Sequence, residues 1–133
     1  MFDGSAKTTS AMALNDILQT GPTIQEDLYS LVLRFRTHAI CFTADIEQMY
    51  RLVTIYPQDR NLQPILWRTA PDQPIQEYCS TTVTYGTASS PFLATRCLKK
   101  QAEDNMVSHP KAPQVLLNYF YVDDLLSDTS TVQ

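Results

Sequence analysis

Two adjacent carboxylates, Asp123-Asp124, stand inside the apolar and aromatic stretch Asn118-Tyr119-Phe120-Tyr121-Val122-Asp123-Asp124-Leu125-Leu126-Ser127. Like charges held at the rim of a core repel, and a bound divalent cation is the usual remedy. A third carboxylate, Asp45, closes the alternating run Ile40, Phe42, Ala44. If the two segments are neighbouring strands, two or three carboxylates meet at one sheet edge. Two cations held about 3.5–4 Å apart by such a group can align an attacking and a leaving oxygen on phosphorus. Mg²⁺ suits the task, because it takes one or two protein carboxylates and leaves its other positions to water and substrate phosphates. Phosphoryl transfer asks for little beyond placement and charge neutralisation. The plainer readings are a solvated hairpin turn for Asp123-Asp124 and a helix cap for Asp45. Local sequence does not separate them.

The elements that must position these residues follow from periodicity. Leu116 to Val122 reads as a buried strand, with Leu125-Leu126 returning as a second and Asp123-Asp124 at the turn between them. Ala39 to Ile46 alternates as a strand ending near Asp45. Thr23-Ile24-Gln25-Glu26 fits a capping box ahead of a helix over about 24–36, whose apolar face is Ile24, Leu28, Leu31, Val32 and Phe35. Arg34, Arg36 and His38 read as its solvated end. A short helix is expected over Ser10 to Leu18, and strands over 52–56, 64–68 and 77–84 with a turn at 57–61. Ser90 as cap and Pro91 at the first position start another helix, which buries Leu93, Ala94, Cys97, Leu98 and Ala102. Ser108 to Pro113 reads as a loop. The sum is α+β, helices packed on an antiparallel sheet.

Bulk properties bound the rest. The 133 residues, 44% hydrophobic and 18% charged, suit one globular domain, 1–133, with one core. No apolar run approaches a membrane span and no signal peptide is legible, so an intracellular location without a membrane is expected. Cys41, Cys79 and Cys97 read as reduced, buried thiols. The net charge of −4 counts against a nucleic-acid binder, unless basic surface belongs to other parts of a larger protein.

Phe42-Thr43-Ala44-Asp45-Ile46-Glu47-Gln48-Met49-Tyr50, Tyr85-Gly86-Thr87-Ala88-Ser89-Ser90-Pro91-Phe92 and Tyr121-Val122-Asp123-Asp124 resemble, in order, motifs A, B and C of reverse transcriptases. Phe2-Asp3-Gly4-Ser5-Ala6-Lys7, Leu14-Asn15-Asp16, Gly21-Pro22 and Leu33-Arg34-Phe35-Arg36 further resemble the BEL/Pao group of LTR retrotransposons. The resemblance covers nearly the whole chain and implies a polymerase palm with part of the fingers, truncated at both ends.

It implies that Asp45, Asp123 and Asp124 are catalytic and, with the Ile46 carbonyl, hold two Mg²⁺ ions, for which Mn²⁺ could substitute. Tyr50 becomes a steric gate against a ribose 2′-hydroxyl, although its ring could equally pack beneath a helix. Tyr85 and Gly86 would face the incoming nucleotide, with Tyr85 standing where retroviral relatives carry glutamine. Ser90, Pro91, Tyr121 and Val122 would lie against template and primer. A basic residue for the triphosphate, placed by relatives just before Phe2-Asp3, is not in this chain. The implied partners are a primed RNA or DNA template, deoxynucleoside triphosphates and the rest of a retrotransposon polyprotein, in a cytoplasmic retroelement particle.

Three functions stand against one another at this level. The first is an RNA-directed DNA polymerase core. The second is a non-catalytic, retroelement-derived remnant or interaction module with the same fold. The third is a metal-free acid/base hydrolase using the Asp pair. No Ser/His/Asp arrangement, phosphate loop or Cys/His metal cluster is legible.

Overall fold

The computed structural model describes residues 3–129 and 131. Its elements are α1 (Leu14–Ile17), α2 (Leu28–Phe35), β1 (Cys41–Asp45), β2 (Pro64–Trp67), β3 (Gln76–Cys79), α3 (Ser90–Asp104), α4 (Ala112–Asn118), β4 (Phe120–Tyr121) and β5 (Asp124–Asp128). Short 3₁₀ turns cover Met49–Leu52 and Pro57–Leu62. Both sheets are antiparallel, and the fold is α+β. No helix among the described residues is long and apolar enough to cross a membrane.

The chain forms two compact units interleaved in sequence. The first takes Met1–Gly21 and Tyr50–Ser90. Its sheet is the β2–β3 hairpin, paired from Pro64↔Cys79 to Trp67↔Gln76. Residues 52–56 do not form a strand; a single bridge, Thr54↔Thr82, joins them to the stretch after β3, supported by Ile55 N–H to Thr81 O at 2.9 Å and Val83 N–H to Val53 O at 2.9 Å. The expected turn at 57–61 is the 3₁₀ turn Pro57–Leu62, for which proline at the first position presets the backbone. α1 is a single turn, shorter than 10–18, with Ala13 N–H bonded to Asp16 Oδ2 at 2.9 Å.

The second unit takes Pro22–Met49 and Pro91–Gln133. Its sheet has the order β1-β5-β4. β1 pairs with β5 from Cys41↔Asp128 through Thr43↔Leu126 to Asp45↔Asp124, and β4 with β5 at Phe120↔Leu125 and Tyr121↔Asp124. α2 packs on β5 through a face centred on Leu31, 1% exposed. Full burial of such a side chain stabilises by roughly 1.5–3 kcal/mol. α2 begins later than the capping box implies. Asp27, not Thr23, caps it, accepting from Ser30 N–H at 3.0 Å and Ser30 Oγ–H at 2.7 Å. A cap four residues downstream releases Ile24 and Gln25 from the helix.

Two further expectations are corrected. Leu116 to Val122 is not one strand: Ala112–Asn118 is helix α4, with Pro113 buried in its first turn, and only Phe120–Tyr121 is extended. A continuous apolar run suits a buried helix as well as a strand, and Pro113 is the feature that starts the helix. The three cysteines are free as expected but exposed, not buried. On α3 the buried stripe is Ala94, Thr95 and Ala102, which leaves Cys97 and Leu93 beside it.

The expected solvated end of α2 is half right. Arg36 is exposed, but Arg34 reaches Glu26 at 2.5 Å and the Asn118 carbonyl at 2.5 Å, and lies over the Tyr119 ring, 5.2 Å from its centre. A cation on the last carbonyl of α4 satisfies an orphan acceptor and complements the helix dipole. His38 pairs with Asp128 at 3.2 Å, across the far end of the β1–β5 ladder.

Candidate active site

The β4–β5 hairpin is closed by a two-residue turn, Val122-Asp123, so Asp124 is the first residue of β5 and not part of the turn. Only the first turn residue has a positive backbone angle, φ 56° at Val122. That pattern belongs to a II′ hairpin, where glycine is the favoured residue. A β-branched side chain in this region is strained by on the order of 1–3 kcal/mol, and such strain persists only where surrounding contacts hold it.

Those contacts are visible on both sides of the turn. The Asp123 carbonyl accepts Ile46 N–H at 3.0 Å, tying the turn to the residue after β1. The Gln25 side chain receives Val122 N–H on Oε1 at 2.9 Å and donates from Nε2 to the Val122 carbonyl at 3.5 Å.

Register decides which side chains share a face. Asp45 stands directly opposite Asp124, so both carboxylates project from the same side of the sheet, with Tyr121 beside Asp124 on β4. Phe120 and Ser127, on the alternate face, are buried. Asp45 and Asp124 are exposed, and Asp123 is half-buried at the adjoining turn. Like charges in cross-strand register destabilise a sheet unless something positive lies between them. Beside them an open cleft of about 310 Å³ is lined by Leu28, Thr43, Tyr121, Asp124, Leu125 and Leu126.

Among the described residues, no three His, Cys, Asp or Glu side chains form a ready-made metal cage. A hard, oxygen-seeking ion such as Mg²⁺ binds through one or two carboxylates and completes its shell with water and phosphate oxygens. Asp45, Asp123 and Asp124 are the residues that would hold it. The Ile46 carbonyl accepts Met49 N–H at 3.1 Å and keeps a second lone pair.

The remaining sequence candidates fall as follows. Pro91 is exposed in the first turn of α3, and Val122 is half-buried in the hairpin turn. Tyr50, Tyr85, Gly86 and Ser90 belong to the first unit. Tyr50 is buried, 9% exposed, and its ring lies 4.6 Å from that of the half-exposed Tyr85, tilted by 48°. Tilted aromatic pairs at this separation contribute roughly 0.5–1.5 kcal/mol beyond their burial.

Gly86 has φ 92°, a conformation that favours glycine. Asn15 clamps the loop that follows, donating from Nδ2 to the Gly86 carbonyl at 3.0 Å and accepting Ala88 N–H on Oδ1 at 2.8 Å. Gly4 makes room for this clamp: a Cβ there would stand 2.7 Å from the Gly86 carbonyl oxygen and 2.8 Å from Asn15 Oδ1. Ser90 is buried, its hydroxyl donating to the Thr84 carbonyl at 2.6 Å and paired with the Thr87 hydroxyl. That hydroxyl braces the loop from inside.

Gln25 and Asn15 carry no role in the sequence reading. A lone amide has no periodic signature, and the backbone groups that each one holds lie far away in sequence. No protein-family model and no curated protein matches the chain.

Proposed function

We propose that this chain is the catalytic core of an RNA-directed DNA polymerase of the retrotransposon type, joining deoxynucleotides to a primer 3′-hydroxyl with release of pyrophosphate. One observation carries the reading. The cross-strand register sets Asp45 against Asp124, and the adjoining turn presents Asp123, tied to the same strand end through Ile46 N–H. The two segments carrying these residues are those that resemble motifs A and C of reverse transcriptases.

Divalent cations bound by such a group would neutralise the phosphates and align the attacking and leaving oxygens in line. The protein's own contribution is placement. Asp45 and Asp124 hold negative charge on one face of the sheet, and Asp123 supplies a third carboxylate from a turn fixed at both ends. Tyr121, on the same face, offers an aromatic surface to a base or sugar. The resemblance would make Tyr50, whose ring packs on that of Tyr85, the gate against ribonucleotides, and Gly86 leaves its own position free of a side chain.

Asp123→Asn should abolish Mg²⁺-dependent primer extension on an RNA or DNA template, because a neutral amide binds the ion far more weakly. Chelator should abolish the wild-type reaction as well. Extension that survives either change would refute the assignment, and a hydrolytic activity undiminished in chelator would point to the metal-free hydrolase.

The second reading, a remnant or interaction module with the same fold, is favoured by the net charge of −4. It predicts no extension by the wild-type chain under any divalent ion. Activity of the 133 residues alone would exclude it.

A further inference from the structure

The carboxylate-bearing turn is built from a residue type that resists it, and the group that holds it comes from another part of the fold. Gln25 lies in the approach to α2, half-buried and outside any regular element. A primary amide is the side chain that presents donor and acceptor as a peptide group does. Gln25 uses both on one residue, receiving Val122 N–H at 2.9 Å and donating to the Val122 carbonyl at 3.5 Å, as a neighbouring strand would. The next carbonyl, that of Asp123, is held from the other side by Ile46 N–H at 3.0 Å.

We propose that Gln25 is a positioning residue for the Asp123 carboxylate: its amide holds Val122 in the left-handed region and thereby fixes where the turn presents Asp123 beside Asp45 and Asp124. Without that clamp, Val122 can relax toward negative φ. The peptide plane between Val122 and Asp123 then turns, and the Asp123 carbonyl leaves Ile46. The consequence for metal binding rests on the polymerase reading. The tether itself does not.

The test separates the two. In the 133-residue chain, amide exchange at Val122 and Ile46 reads the tether directly, and Mn²⁺ titration followed by paramagnetic broadening reads the site. Gln25→Leu should speed exchange at both amides by about three- to tenfold, the range expected for one lost net hydrogen bond. The Leu31 amide, bonded to the Asp27 carbonyl inside α2, should keep its wild-type rate. The apparent Mn²⁺ dissociation constant should rise by a similar factor.

Adding Val122→Gly to Gln25→Leu should restore slow exchange at Ile46, since glycine adopts the turn without help. Unchanged exchange at Val122 and Ile46 in Gln25→Leu, or no rescue by glycine, would overturn the proposal. Should Gln25→Leu fail to fold, Gln25→Glu carries the test. It keeps the acceptor for Val122 N–H and loses the donor, so Ile46 should exchange faster while Val122 stays protected. Wild-type exchange at Ile46 in that variant would overturn the proposal equally. If the amides loosen as expected while Asp123→Asn leaves Mn²⁺ binding and primer extension untouched, the tether stands and the polymerase reading falls.

Discussion

Carboxylates are legible in a sequence because their chemistry is rare in apolar surroundings; the groups that aim them are not. Asp45, Asp123 and Asp124 could be singled out from residue type and flanking pattern alone. Nothing in Tyr121-Val122-Asp123-Asp124 indicates that valine takes a left-handed angle, since β-branched residues are the least suited to it. Tyr50 is an intermediate case. It is buried against Tyr85, which fits an aromatic packing residue as well as a gate. The two roles predict different outcomes for Tyr50→Ala. A gate that works by clash excludes the larger substrate, so its removal should raise kcat/KM for ribonucleotides relative to deoxynucleotides by about tenfold or more. Removing a packing residue should lower both rates together and lower Tm. Single-nucleotide incorporation with matched deoxy- and ribonucleotides distinguishes the two, and an unchanged ratio would remove the gate. Tyr85→Ala, which leaves the Tyr50 ring in place but unsupported, should relax the ratio by a smaller factor.

Element boundaries follow caps and prolines more closely than apolar periodicity. α2 illustrates this: Thr23-x-x-Glu26 has the letters of a capping box, but the helix starts where Asp27 can bond both the N–H and the hydroxyl of Ser30. α4 shows the other failure, where Leu116 and Leu117 join the aromatic run in sequence but belong to the helix that Pro113 begins. The strand expected over 39–46 is β1, shortened to Cys41–Asp45, and its alternation is what made it legible. The bridge at Thr54 was not, since one pair of residues leaves no pattern. Asp27 also supports a pH prediction. The Ser30 hydroxyl, and after it the Ser30 N–H, holds the Asp27 carboxyl below its ordinary range. A carboxylate lowered on folding stabilises above its unfolded pKa, near 3.9, and that contribution is lost as pH falls through the lower folded value. Asp27→Asn keeps a capping acceptor but not the charge. It should melt below wild type at pH 7, and the gap should narrow steadily once the pH falls below about 4. Thermal unfolding by circular dichroism across pH 2–7 checks this, and a gap independent of pH would show that the charge contributes nothing.

At the scale of the whole molecule, the difficulty for a polymerase is charge. The chain has 10 Lys and Arg against 14 Asp and Glu, and Arg34, Arg96 and Lys100 are already paired with Glu26, Glu103 and Asp104. The seven others face an excess of carboxylates, so the net field of the chain repels phosphate. Each phosphate contact adds about −0.9 to the slope of log K against log salt, so a binder with six to ten contacts is steeply salt-dependent. This chain should instead bind a primed duplex with a shallow slope, on the order of −3 or less in magnitude, and with a dissociation constant in the micromolar range or weaker. Its affinity should respond to a different variable. If Asp45, Asp123 and Asp124 meet nucleic acid through shared divalent ions, replacing Mg²⁺ by chelator at constant ionic strength turns an attraction between two anions into repulsion. Fluorescence anisotropy of a labelled primer–template, titrated with the chain at several salt concentrations with and without Mg²⁺, measures both dependences. A shallow salt slope with a marked loss in chelator supports a cation-bridged site. A steep salt slope indifferent to Mg²⁺ would mean that basic side chains carry the binding, and that the acidic face formed by β1 and β5 is not where nucleic acid lies.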